Sequence, residues 1–116
     1  MALVSALAVG LGGALGAASR YAVGTAIERR ALDTFLVNVV GSFVFGFALG
    51  IGLDGPAMLA LVVGFCGAFT TFSSFAVETV GLAEDGDTAG AVINAGGTLV
   101  AALSAVLAGG VVAAAV

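Results

Sequence analysis

The residues best suited to chemistry stand together in one run, residues 64–75. The run reads Gly-Phe-Cys-Gly-Ala-Phe-Thr-Thr-Phe-Ser-Ser-Phe and lies inside a longer uncharged stretch, residues 55–77. A plain apolar helix would suffice there, yet the run carries glycines, hydroxyl side chains and closely spaced phenylalanines. Non-helical backbone within a membrane is tolerated only where protein buries it or where it lines a watery path. The run therefore predicts a helix broken over residues 67–73, with a polar solute beside it.

The aromatic side chains of this run indicate the kind of solute. Phe72 and Phe75 are three residues apart, with Thr71, Ser73 and Ser74 between and beside them. An aromatic ring is positive at its edge, so rings presented edge-on favour a small anion and exclude cations. Most phenylalanine pairs simply pack in a core, and that alternative stays open. The neighbouring hydroxyl groups favour an anion pathway.

Two asparagines, Asn38 and Asn94, lie in other uncharged stretches. An amide without a partner in hydrocarbon is unfavourable by a few kcal/mol. Each amide must therefore bond to a neighbouring helix or donate an N–H to a passing anion. The sequence leaves both roles open.

Arg20 is a cation at the end of the first apolar stretch. Its helix face also carries glycines at four-residue spacing, Gly12, Gly16 and Gly24. Small residues mark contacts between membrane helices, so this face predicts that Arg20 lies against protein and attracts anions to a vestibule. Snorkelling to the lipid head groups is the alternative. Glu78 is either an acid at a helix end or a second vestibule group.

Composition sets the elements that must position these residues. Hydrophobic residues make up 61% of the 116-residue chain and charged residues 9%, against about 25% charged residues in soluble proteins. About 20 mostly apolar residues span a membrane, and apolar stretches of that length follow one another along the chain. The sequence therefore predicts one all-α membrane domain over residues 1–116, with Asp33 as N-cap of the second helix and Pro56 in the first turn of the third. The four predicted transmembrane helices cover residues 2–27, 33–53, 56–82 and 88–115.

Composition also excludes several classes of function. The chain has no His and a single Cys, which excludes a disulfide framework, a zinc or haem site and a Cys–His catalytic pair. Three arginines against seven acidic residues exclude the basic patch that a nucleic-acid partner requires. Closely packed, small-faced helices leave no room for a wide pore in one subunit. We therefore expect an oligomer with the pathway between subunits.

Taken together, these motifs resemble those of the Fluc/CrcB family of fluoride channels. The resemblance covers most of the chain and rests on residues 12–21, 34–43 and 64–75, of which the last segment is the most specific. It implies a fluoride-selective ion channel rather than an enzyme. Fluoride would leave the cell passively across the plasma membrane, which would reduce the toxicity of cytoplasmic fluoride.

The resemblance also implies roles for individual residues. They are a donor to fluoride at Asn38, ring edges at Phe72 and Phe75, hydroxyl contacts at Thr71 and Ser74, and a cation near a pore entrance at Arg20. In the fourth helix, many family members carry a Tyr and a Ser one turn apart where this chain has Gly90 and Asn94. Asn94 is therefore the pathway candidate in that helix. Ala76 stands where Ser or Thr is common in the family.

Family members form dimers of two antiparallel subunits with two fluoride pathways, and they bury a sodium ion at the dimer centre. Backbone carbonyls freed at a helix break are natural cation ligands. The matching positions here, Gly67 and Thr70 of both subunits, would hold sodium as a structural cofactor. Arg29 and Arg30 bias the orientation in the lipid membrane only weakly. The second subunit is therefore either another copy or a paralogue of opposite bias.

Other classes of membrane protein explain less of the sequence. A small four-helix multidrug transporter would carry an embedded Glu with aromatic partners in its first helix, but no acid precedes Glu28 and the chain has no Trp. A structural subunit of a larger complex would explain the glycine faces but not the polar run 64–75. A non-conducting subunit of a heterodimeric channel is a further alternative.

Overall fold

The computed structural model describes residues 1–29 and 31–116, so Arg30 and its predicted share in the orientation bias lie outside the described residues. Within these residues, four helical spans are long and apolar enough to cross a membrane. They cover Ala2–Ala26, Leu32–Gly50, Gly55–Glu84 and Thr88–Ala114. The chain is thus a multi-pass membrane protein, and its described part is all-α, as predicted.

The third span differs from the others because it is divided. In chain order the helices are α1 (Ala2–Ala26), α2 (Leu32–Gly50), α3 (Gly55–Met58), a π-helical segment (Leu59–Cys66), α4 (Gly67–Phe69), α5 (Ser73–Glu84) and α6 (Thr88–Ala114). Residues 70–72 belong to neither α4 nor α5 and are called the break below. Thr70 in the break is extended, with φ −83° and ψ 163°. The π-helical segment is also unusual, since most π-helices are single-turn bulges.

The helix ends agree with the sequence in part. Pro56 lies in the first turn of α3, as predicted. The prediction that Asp33 caps the second helix is wrong, because α2 begins one residue earlier and its N-cap is Ala31, with φ 70°. Asp33 lies instead in the first turn of α2, where a carboxylate still interacts favourably with the helix dipole. Asp87 caps α6 by accepting a hydrogen bond from the backbone N–H of Gly90 at 2.8 Å.

The helix α1 packs against the π-helical segment through glycines. A Cβ added to Gly12 would overlap the backbone of Ala60, and one added to Gly16 would overlap the backbone of Phe65. Residue numbers increase in the same direction along both sides of this contact, so α1 and the π-helical segment are parallel. The prediction that glycines of the first helix face protein is therefore confirmed for Gly12 and Gly16. It is wrong for Gly24, which is exposed.

A second pair of parallel helices, α2 and α6, packs in the same way. A Cβ added to Gly46 would overlap the backbone of Val106, and one added to Gly50 would overlap the side chain of Ala113 and crowd the backbone of Gly110, so residue numbers again increase together along the contact. The two helix pairs are antiparallel to each other, and α5 also packs against α6. This arrangement holds the break beside α2.

Charge is distributed unevenly along the molecule. Because successive spans alternate in direction, the end of α1, the start of α2 and the loop at residues 85–87 lie at the same end. All charged side chains of the described residues except Asp54 lie in the half of the molecule nearest this end. We call it the charged end.

Candidate functional site

The break is held by a pair of hydrogen bonds from α2. The side-chain amide of Asn38 donates through Nδ2 to the carbonyl oxygen of Thr71 at 2.9 Å. The backbone N–H of Thr71 donates to Oδ1 of Asn38 at 2.8 Å. A carbonyl can only accept and an N–H can only donate, so this Asn38–Thr71 pair fixes the orientation of the amide. The partner that the sequence required for Asn38 is therefore the backbone of the third span.

Two backbone N–H groups are diverted at the break. In a continuous α-helix, Thr71 would donate to the carbonyl of Gly67 and Ser74 to the carbonyl of Thr70. Here Thr71 donates to Asn38, and Ser74 donates to the side-chain oxygen of Thr71 at 3.1 Å. Within the described residues, no other donor reaches the carbonyls of Gly67 and Thr70. These two oxygens are consequently free to accept from a ligand.

A cavity of about 320 Å³ opens beside the break, and we call it the Asn38 cavity. Its lining comprises Asn38, Ser42, Thr70, Thr71, Phe72, Phe75, Thr98, Leu99 and Ala102. The rings of Phe72 and Phe75 lie 5.9 Å apart between centroids, with their planes at 51°. Phe72 is 78% exposed, so its ring faces outward from the helices. The cavity thus combines an amide, several hydroxyl groups and two aromatic rings.

Two polar residues of this cavity were missed by the sequence reasoning. Ser42 in α2 is one of them, and its hydroxyl lies one turn after Asn38. Thr98 in α6 is buried and lies one turn after Asn94, on the same helix face. A hydroxyl at that spacing in an otherwise apolar helix was the signal that could have identified Thr98.

A second cavity, of about 620 Å³, surrounds Arg20, and we call it the Arg20 cavity. The guanidinium Nη2 of Arg20 donates to the hydroxyl oxygen of Ser74 at 2.7 Å. Thr34 donates to Oε1 of Glu78 at 2.7 Å, while Oε2 of Glu78 is buried without a partner among the described residues. Arg20 therefore faces protein, as its glycine face predicted, and Glu78 lines the same cavity.

The structure separates Ser74 from the other predicted pathway residues. Ser74 lines the Arg20 cavity, whereas Asn38, Thr71, Phe72 and Phe75 line the Asn38 cavity. The hydroxyl of Thr71 connects the two sides because it accepts from the backbone N–H of Ser74. The two cavities therefore flank one short piece of backbone.

Asn94 lies outside the Asn38 cavity. Its Nδ2 donates to the hydroxyl oxygen of Thr79 at 2.9 Å, which is a helix–helix contact between α6 and α5. Asn94 lines a neighbouring groove of about 420 Å³ that shares Thr98 with the Asn38 cavity. The structure thus brings Asn94 next to the cavity but not into it.

Comparison with known proteins assigns the chain to a family. A profile described as CrcB-like protein, Camphor Resistance (CrcB), matches residues 7–110. The chain belongs to the CrcB family. The resemblance of its sequence motifs to this family is thereby confirmed, and the match includes every site residue described above.

The CrcB relatives of this chain have names that agree with one another. The fluoride-specific ion channel FluC 2 of Natronomonas pharaonis is 64% identical over 109 residues, which are 94% of each chain. FluC 2 of Haloarcula marismortui is 51% identical over 105 residues, 89% of this chain and 88% of the relative. FluC of Nitratidesulfovibrio vulgaris is 42% identical over 106 residues, 83% of this chain and 86% of the relative.

Proposed function

We propose that this chain is a subunit of a fluoride-specific ion channel that lets fluoride leave the cell passively. The observation that carries the proposal is the Asn38 cavity, where a break in a membrane span meets an amide and two phenylalanine rings. The 64% identity to a protein named as a fluoride-specific ion channel supports it. The relatives are named as channels, and we assign no catalytic step to the chain.

The donors of the Asn38 cavity suit a small anion that has lost most of its water. An asparagine amide carries two N–H donors, and only one of those on Asn38 is used by Thr71. The second N–H would donate to fluoride, together with the hydroxyls of Thr71 and Thr98. The ring edges of Phe72 and Phe75 would add positive potential. They carry no hydrogen-bonding group that would retain water beside the ion. Selectivity would follow because few donors at short range replace the hydration shell of a small ion.

The remaining polar residues would serve the approaches to this cavity. Arg20 would attract anions at a vestibule, since a cation in a partly buried cavity raises the local anion concentration. Ser74 would offer its hydroxyl where the Arg20 cavity meets the break. Asn94 would extend the pathway along α6 through the groove that shares Thr98.

A second, antiparallel subunit would complete the pathway. Phe72 is largely exposed in the single chain, and the Asn38 cavity opens at the subunit surface. A membrane-facing opening with polar groups needs a protein cover, because lipid cannot satisfy them. The partner would be another copy of this chain or a paralogue, which gives two pathways per dimer.

A sodium ion would stabilise the centre of this dimer. The carbonyls of Gly67 and Thr70 fit the role, because their usual helical donors are diverted to Asn38 and to the Thr71 side chain. Two such carbonyls from each subunit would provide oxygen ligands of the kind that hard monovalent cations accept. The break would then serve both ions, sodium through its backbone and fluoride through its side chains.

Fluoride efflux from liposomes containing the purified chain tests the proposal. We expect fluoride efflux with little chloride efflux, and we expect Phe75→Leu to reduce the fluoride rate about tenfold or more. Phe45→Leu is the matched control, since Phe45 lies in α2 outside the Asn38 cavity. Unchanged efflux in Phe75→Leu would reject the assigned pathway. Liposomes that release fluoride only when a paralogue is also present would identify a heterodimer. No fluoride efflux with or without a paralogue would reject the channel.

A further inference from the structure

A chain of hydrogen bonds joins α6 to the turn of α5 that carries Phe75. The hydroxyl of Thr79 donates to the carbonyl oxygen of Phe75 at 2.8 Å. The same hydroxyl oxygen accepts from Nδ2 of Asn94 at 2.9 Å. Thr79 lies in neither the Asn38 cavity nor the neighbouring groove, so it does not line the pathway itself.

The donor and acceptor of each of these two hydrogen bonds follow from the carbonyl group at which the series ends. The carbonyl of Phe75 can only accept, so the single hydroxyl proton of Thr79 must point at it. The oxygen of Thr79 is then left only as an acceptor. Asn94 must therefore present its NH₂ group, and not its Oδ1, toward α5. The amide keeps one further N–H and its Oδ1 for the groove.

Many hydroxyl side chains bond only to their own helix, and such bonds carry no function by themselves. Thr25 is an example, because its hydroxyl donates to the carbonyl of Ala22 at 3.0 Å and has no second partner among the described residues. Thr79 differs because its oxygen also receives a side chain from another helix. That second bond joins the position of Phe75 to the orientation of Asn94.

We propose that Thr79 is a positioning residue for the fluoride pathway. It fixes the amide of Asn94 with a donor toward α5 and holds the Phe75 turn of α5 against α6. The ring edge of Phe75 and the free N–H of Asn94 are thereby held at a constant separation. This inference rests on the proposed function, since the positioned groups are those of the proposed pathway.

The test compares Thr79→Val, Thr79→Ser and the control Thr88→Val in liposomes. Thr79→Val keeps the shape and removes the hydroxyl, and we expect fluoride efflux to fall about three- to tenfold, the effect of one lost hydrogen bond. The ratio of fluoride to chloride efflux should fall as well. Thr79→Ser restores the hydroxyl and should recover both values to within about twofold. Thr88→Val should leave both values unchanged, because Thr88 is exposed at the start of α6 and lines neither the Asn38 cavity nor the Arg20 cavity.

Several outcomes would overturn the inference. One is a Thr79→Val variant that conducts and selects as well as Thr88→Val does. Another is a variant with lower thermal stability but an unchanged fluoride-to-chloride ratio, because Thr79 would then act only in folding.

A wild-type protein that passes no fluoride, alone or with a paralogue, would reject the proposed function, and the inference would still be tested. Thermal unfolding of Thr79→Val, Asn94→Leu and their double variant measures the bond between the two side chains. Non-additive losses of stability support the pair of hydrogen bonds through Thr79. Losses as additive as those of Thr25→Val with Asn94→Leu overturn it.

Discussion

Two regions of the third span are held in place by different physical means. The π-helical segment lies backbone to backbone against α1, with Gly12 and Gly16 at the points of contact. No side-chain hydrogen bond joins these two elements within the described residues. At the break, a few residues further on, the close glycine contact is with a side chain, where Gly41 of α2 meets Thr70. The backbone there is held by side chains of Asn38 and Thr71. The first region depends on shape, and the second depends on paired polar groups.

The difference shows how a membrane protein can keep a polar path in a fixed place. Lipid gives no hydrophobic drive for helix association, so close approach at glycines supplies the packing energy. That rigid contact carries the start of the third span to a defined depth. Polar groups can then be paired at the break with little tolerance for error. Substitutions in the two regions should therefore fail in different ways.

The largest effect is expected from Gly12→Ala in the packed region. The added Cβ would meet the backbone of Ala60, which cannot move away as a side chain can. Overpacking of this kind is unfavourable by about 3 kcal/mol. Gly10→Ala is the control, because a Cβ on Gly10 meets nothing within 4 Å. Thermal unfolding in detergent should show a large loss for Gly12→Ala only. Equal melting temperatures of the two variants would show that close backbone packing does not stabilise this region.

A smaller loss of stability, with a large loss of conduction, is expected from Asn38→Ala. It would leave the N–H and the carbonyl of Thr71 without partners, which is unfavourable by about 2 kcal/mol. It would also remove the donor proposed for fluoride. Ser42→Ala is the comparison within the same cavity, since it removes a hydroxyl group but no hydrogen bond of the described residues and should leave the break intact. Fluoride efflux that survives Asn38→Ala but not Ser42→Ala would reverse the roles assigned here.

The smallest effect is expected from Ser74→Ala at the edge of the break. It removes the acceptor for Arg20 but leaves the backbone pairing of Thr71 intact. We expect a loss of about 1 kcal/mol in unfolding and fluoride efflux within about threefold of wild type. Ser104→Ala, at an exposed serine of α6, is the control. A complete loss of efflux in Ser74→Ala would place Ser74 on the pathway itself and would join the two cavities into one route.

The sequence predicted four membrane-spanning helices because each is a long, mostly apolar stretch with few charged residues. It also predicted that Asn38 needed a partner, but not which one, since Thr71 is 33 residues away and only the packing of α2 against the third span brings them together. The π-helical segment carried no sequence signal, because a segment apolar on all faces has the same pattern in either helix type. Thr98 was missed because Asn94 was the more polar residue in the same helix.

Asp33 shows why helix ends are harder to predict than spans. Its side chain suits a cap, yet the N-cap lies two residues earlier, at Ala31, where φ is positive. Non-glycine residues rarely adopt that conformation, so propensity alone places the helix start too late. The error moved one boundary and did not affect the site.

The charged end gives a single subunit an electrical polarity along the membrane normal. Two subunits arranged head to tail would cancel it, because each membrane surface would then meet one end of each kind. Ions arriving from either side of the membrane would encounter the same electrostatic potential along the pathway. Current through such an assembly should not rectify, whichever way the first copy was inserted.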